Sequence, residues 1–167
     1  MLLDLTILSY HKFTEKPDEY PFSRTYDQFT HDLEKKIFDW VTIDDGMRCL
    51  IKACEIMRTF NIRAKLFICT SLVGKAGYCN WDELKWLSKF HDIENHSFGH
   101  HYFTHMTGTD QYEEIRSAQQ DIIEHNIKPP RFFVPPYNTF NEITEQVCEQ
   151  LDLILLKDRI TIKNNSK

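Results

Sequence analysis

Short apolar stretches alternate along this chain with stretches of helical periodicity, and the polar residues that could do chemistry sit where the apolar stretches stop. That alternation constrains the fold more than any other feature. Leu2 to Tyr10 is rich in Leu and Ile and reads as a buried strand. His11 to Arg24, broken by Lys16-Pro17-Asp18 and Pro21, reads as a long loop. Thr25 to Lys36 has helical spacing, with Phe29 and Leu33 on one face. Phe38 to Ile43 reads as a strand that ends at Asp44-Asp45-Gly46. Met47, Leu50, Ile51, Cys54, Met57 and Phe60 then mark a helix stopping at Asn61.

The same alternation continues to the end of the chain. Ala64 to Thr70 is strand-like, and Asn80 with Glu83 opens a helix through Trp86, Leu87 and Phe90. Ile93 to Asn95 is short and leads straight into histidines. Asp110 and Glu113 predict the start of a helix carrying Tyr112, Ile115, Ala118, Ile122 and Ile123. Arg131 to Val134 runs into a double proline, Asn141 to Leu151 is helical, and Leu153–Leu156 and Ile160–Ile162 are short strands. Such alternation predicts an α/β fold around a parallel sheet, open or closed into a barrel. In both forms chemistry gathers at the carboxyl ends of the strands.

At 167 residues the chain fits a single domain, closing on a polar tail from Lys163 to Lys167. A net charge of −5 supplies no basic field for nucleic acid or for anionic membrane. No apolar stretch approaches the roughly 20 residues needed to span a bilayer, and the N-terminus lacks the marks of a secretory signal. The five cysteines, Cys49, Cys54, Cys69, Cys79 and Cys148, are scattered without a CxxC pair, which predicts buried thiols in a reducing, cytoplasmic setting.

Three strand ends hold the candidate residues. Asp44 and Asp45 are adjacent carboxylates that repel unless a cation or donor intervenes, although Asp-Asp-Gly is also ordinary turn composition. His96 and His100, four apart in Asn95-His96-Ser97-Phe98-Gly99-His100-His101, have the spacing of a segment giving two imidazoles to one metal. Histidine pairs at this spacing also arise by chance. In Val134-Pro135-Pro136-Tyr137-Asn138 the prolines stop the strand and fix the next amide, as an oxyanion donor or simply as a rigid loop.

Taken in order, the three segments resemble the motifs of the NodB-type polysaccharide deacetylases, carbohydrate esterase family 4. Thr42–Gly46 resembles TFDDG with Ile43 for Phe, His96–His100 resembles H-[ST]-x-x-H, and Val134–Asn138 resembles R-x-P-Y-G. Ser9-Tyr10-His11 and Asn61–Ile68 are similar to flanking parts of that family. The resemblance implies a parallel (β/α) barrel, left incomplete by the short C-terminus with six or seven strands and an exposed edge. A homodimer covering that edge is expected. It implies Asp44 as general base, and Asp45, His96 and His100 as ligands of a divalent metal, most simply Zn2+. The Tyr137 amide would hold the oxyanion, with Pro135, Pro136 and Tyr137 against the substrate. His101 and His105 are expected outside the ligand set. The implied substrate is an N-acetyl or N-formyl amino sugar, or a sugar-containing precursor in envelope polysaccharide synthesis.

Three departures set up an alternative. Val134 stands where the family has the Arg that orients the base, and Arg131, three residues earlier, is expected to face the other way. Asn138 replaces a Gly, and no His follows His125, so the family's late general acid is missing. His11, at the end of the first strand, is the histidine best placed to act as acid instead. The alternative is a catalytically weak or inactive relative that binds carbohydrate or a partner through the retained pocket.

Overall fold

The protein's computed structural model describes residues 5–163. Leu2–Asp4 of the first predicted strand, and residues 164–167 of the polar tail, lie outside the described residues. Strand β1 (Ile7–Tyr10) is buried along its whole length. The segment expected to be all loop contains two short strands, β2 (Lys12–Thr14) and β3 (Ser23–Thr25), which pair in parallel. Three residues are too few to show a period of two, so the sequence concealed them. What holds the segment down is Phe13, whose ring packs on Tyr10, Tyr26 and Phe29.

Helix α1 (Tyr26–Glu34) opens on a capping box between Thr25 and Gln28. Strand β4 (Trp40–Ile43), helix α2 (Leu50–Thr59), strand β5 (Lys65–Ile68), helix α3 (Trp81–Leu87) and strand β6 (Asp92–Asn95) follow. The Asn80–Glu83 box that caps α3 is formed in both directions. Helix α4 (Gly108–Glu124) begins earlier than expected, because Thr107 is its cap and accepts from the Asp110 amide. A Thr-Gly-Thr-Asp start resembles a loop locally, and burial of Gln111 and Ile115 is what extends the helix back. Strand β7 (Phe132–Phe133), helix α5 (Glu142–Gln150) capped by Asn141, and strands β8 (Ile154–Leu155) and β9 (Ile160–Thr161) complete the order.

Seven strands form one sheet in the order β8-β7-β6-β5-β4-β1-β9, every pair parallel. The sheet curls into an incomplete (β/α) barrel. Its outer strands β8 and β9 are separated in sequence only by residues 156–159. Five Cα steps reach at most about 18 Å, so the two edges must curl toward each other. The exposed edge shows in Ile154 and Ile160, which are 40% and 55% exposed.

Alternation along each strand divides the core in two. Leu8, Tyr10, Val41, Ile43, Leu66, Ile68 and Ile93 pack outward against the helices. Ile7, Phe67, Phe132, Val134 and Leu156 form a smaller cluster with Trp40 on the other face. Each such side chain, fully buried, contributes about 1.5–3 kcal/mol. The inner cluster therefore fills the barrel below the strand ends and leaves the site at its mouth.

Candidate active site

All three motif segments arrive at the same mouth. Asp44 and Asp45 follow β4, and the Asp44 amide is held by the Tyr10 carbonyl at 2.9 Å. Asp44 is 1% exposed and Asp45 7%. Gly46, at φ +81°, lets the chain turn at once, since L side chains rarely adopt that conformation and a Cβ there would meet Ile68 Cδ1 at 3.2 Å.

The histidine segment after β6 is pinned from behind by α4. Asn95 donates to the Ile115 carbonyl at 2.8 Å and accepts from the Ser97 amide at 2.8 Å. Glu114 accepts from the Gly99 amide at 2.6 Å, and Ser97 Oγ accepts from the His100 amide at 3.1 Å. These contacts hold Ser97 (φ 66°) and His100 (φ 60°) in the left-handed region, as Asp45 (φ 73°) is held opposite. Tyr137 and Asn138 share that conformation at φ 56° and 55°. Left-handed backbone costs roughly 1–2 kcal/mol for each non-glycine residue. Its concentration around one cleft marks a place where geometry is kept at the expense of stability.

His100 Nε2 lies 3.1 Å and His96 Nε2 3.3 Å from the same oxygen, Asp45 Oδ1. Ligand atoms of the three residues all fall within 4.8 Å of one another, and no other such trio is found among the described residues. His96 is 2% exposed, and its Nδ1 contacts the Val134 carbonyl at 2.8 Å. A carbonyl only accepts, so Nδ1 carries the hydrogen, and the Nε2 lone pair of the neutral ring faces the Asp45 carboxylate. Two lone pairs face each other there unless a proton or a cation lies between them. This donor set fits a divalent metal with open positions.

With a proton in that gap, imidazole and carboxylate stabilise each other's charged forms. Burial alone would raise the Asp45 carboxyl, but hydrogen bonds from His100 and His96 and the neighbouring imidazole charges hold it well below the usual range. Burial alone would lower His96, yet the Asp45 hydrogen bond and the charges of Asp44 and Asp45 raise it.

The cleft in front of this cluster has a volume of about 200 Å3 and is lined by His11, Tyr20, Phe22, Asp44, Pro135 and Tyr137 among others. His11 follows β1, its ring beside Phe22, with Nε2 3.7 Å from Asp44 Oδ2 and a buried Nδ1 without a partner. Tyr137 follows the double proline, packs edge-on against His100 at 4.8 Å and stacks on Tyr102 at 3.9 Å. The ring of Pro136 is buried while Tyr137 remains 53% exposed. His101 lies outward beside Glu114, and His105 beside Tyr102.

Arg159 is the member of the site that sequence reasoning missed. It sits just before β9, with a side chain only 5% exposed, and Nη1 donates to Asp44 at 2.8 Å (Oδ1) and 2.7 Å (Oδ2). Arg131 lies at the start of β7, away from the mouth, exposed beside Phe132. Val134 has no exposed surface and packs inside the barrel. The one signal that could have pointed to Arg159 is its place between two short apolar stretches, where a charged residue must face either solvent or an acid.

Comparison with known proteins agrees with this geometry. The polysaccharide deacetylase family model matches residues 31–155. The chain belongs to that family. Among solved structures, the Streptococcus pyogenes deacetylase PplD, determined with acetate, is similar at TM-score 0.81 and 16% identity, over 89% of this chain and 80% of that one. IcaB from Ammonifex degensii is similar at TM-score 0.78 and 17% identity, over 97% and 88%. A mutant of BA3943, described as a CE4 family pseudoenzyme with restored enzymatic activity, is similar at TM-score 0.63 and 18% identity, over 70% and 42%. A comparison with curated proteins yields no significant match. No helix among the described residues is long and apolar enough to cross a membrane.

Proposed function

We propose that this protein is a metal-dependent hydrolase that removes an N-acetyl or N-formyl group from an amino sugar of an envelope polysaccharide or its precursor. The observation that carries the reading is the convergence of Asp45, His96 and His100, with His96 Nε2 and His100 Nε2 both turned toward Asp45 Oδ1. A divalent cation bound there, zinc by its donor set, would polarise the acyl carbonyl and acidify water.

The chain's own residues carry the proton transfers. Asp44 takes a proton from the attacking water as its oxygen bonds to the acyl carbon. The Tyr137 amide, held by Pro135 and Pro136, stabilises the charge that develops on the carbonyl oxygen. As the C–N bond breaks, the His11 imidazolium gives its proton to the leaving nitrogen. The products are a carboxylic acid and a sugar amine. Asp44 loses its proton and His11 regains one through solvent, which restores the site.

Two of the three departures, the motif Arg lost at Val134 and the missing late His, favour an inactive relative. A guanidinium on Asp44 and an imidazole 3.7 Å from it stand in this cleft, and both support turnover. The test is to measure bound metal on the purified protein and acetate or formate release from N-acylated amino sugars and their oligomers. About one zinc per chain, with release abolished by a chelator and restored by zinc, is expected. Stoichiometric metal without release from any substrate would favour the binding-protein alternative, and absence of metal binding would refute the reading.

A further inference from the structure

We propose that Arg159 is the positioning residue for the Asp44 carboxylate, delivered from the C-terminal strand in place of the Arg that Val134 replaces. The inference rests on the reading of Asp44 as the base. One nitrogen, Nη1, donates to both Asp44 oxygens, at 2.8 and 2.7 Å, and to Ser9 Oγ at 2.9 Å, with Thr42 Oγ1 at 3.5 Å. Ser9 and Thr42 are paired across β1 and β4, so the guanidinium is fixed by two neighbouring strands and packs over the Phe67 ring at 5.8 Å. The carboxylate thereby receives a fixed orientation from inside the barrel. Its remaining lone pairs are left for the cleft, where His11 waits on the other side.

Stability is a poor explanation for this arrangement. A buried ion pair offsets its desolvation only when every donor is satisfied, and Nε of Arg159 is buried without a partner. An apolar residue bridging β8 and β9, like Leu156 nearby, would fill the same space more cheaply. Placing a charge there is useful chiefly because it meets Asp44. The motif position itself is closed to an arginine, since Val134 is packed among Ile7, Phe67, Phe132 and Leu156 with no exposed surface. The short crossing from β8 to β9 brings the needed charge from the opposite edge of the sheet.

The test compares Arg159→Ala and Arg159→Lys with the parent protein in metal content, kcat, KM and crystal structure, with and without millimolar guanidinium ion. Arg159→Ala is expected to lower kcat about 100-fold with KM changed less than about threefold, and to keep its metal. Added guanidinium should restore at least about tenfold, and Arg159→Lys should fall between, because an ammonium keeps one donor nitrogen and the charge but loses the planar face that packs over Phe67. In Arg159→Ala crystals the Asp44 carboxylate should leave its place. Unchanged kcat, a loss confined to KM, no rescue by guanidinium, or an Asp44 carboxylate that keeps its place would each overturn the proposal. If the parent protein releases no acyl group, the functional reading fails by itself, and the crystallographic position of Asp44 still decides what Arg159 does.

Discussion

Exchanging Arg24 for Met should loosen the wall of the cleft through a pair of charges remote from the chemistry. Arg24 donates through Nε and one terminal nitrogen to the two oxygens of Asp32, at 2.8 and 2.7 Å. The Tyr10 hydroxyl, just ahead of His11, donates to the same carboxylate at 3.2 Å. Burial, with the Asp32 charge added, pushes that phenol far above its ordinary value, so it stays a donor. Removing Arg24 strands a carboxylate that is only 10% exposed. Breaking such a pair costs about 3–5 kcal/mol. The lower end applies, because Arg24 keeps 18% of its surface and Lys35 still lies 3.8 Å from Asp32.

A loss of about 3 kcal/mol in a chain of this size lowers Tm by about 6–12 °C. The double variant Arg24→Met/Asp32→Leu removes both charges and should recover at least half of that loss, a coupling above about 1.5 kcal/mol. Urea unfolding of the parent, both single variants and the double gives the four free energies directly. If the two losses simply add, the pair is not the fastener and the argument from a stranded charge is wrong. Since Arg24 closes the segment carrying Tyr20 and Phe22, the single variant should also raise KM more than it lowers kcat.

Stability should also depend on pH through His91, which has no exposed surface and accepts the Ala64 amide at Nδ1. Burial lowers this imidazole from 6.5 to about 4, so the unfolded chain binds its proton first. Stability is therefore complete above about pH 6.5 and falls as pH drops toward 4, by up to about 3 kcal/mol. His91→Asn, which keeps an acceptor for Ala64, should flatten that part of a urea-unfolding series. An unchanged slope would assign it to other groups. His11→Ala should lower kcat by about 100-fold or more with bound metal unchanged, and full retained activity would remove His11 from the acid role.

The sequence by itself determined the alternation of strands and helices, the cap at Asn80, the helix starts at Thr25 and Asn141, and the three segments that meet at the mouth. Those features are local: capping boxes span four residues, and a strand end followed by Asp-Asp-Gly is legible without knowing its neighbours. It did not determine β2 and β3, whose stability comes from Phe13 reaching three rings brought from elsewhere in the chain. Nor could it show that α4 braces the histidine segment through Glu114 and the Ile115 carbonyl. Arg159 is the clearest case. It lies 115 residues from Asp44, and no periodicity links the two. Only curling of the sheet brings β9 beside β1 and places that guanidinium on Asp44. The motif pattern places the cation for Asp44 at a position where this barrel has a packed valine, and the tertiary structure brings a guanidinium to that carboxylate from the other edge of the sheet.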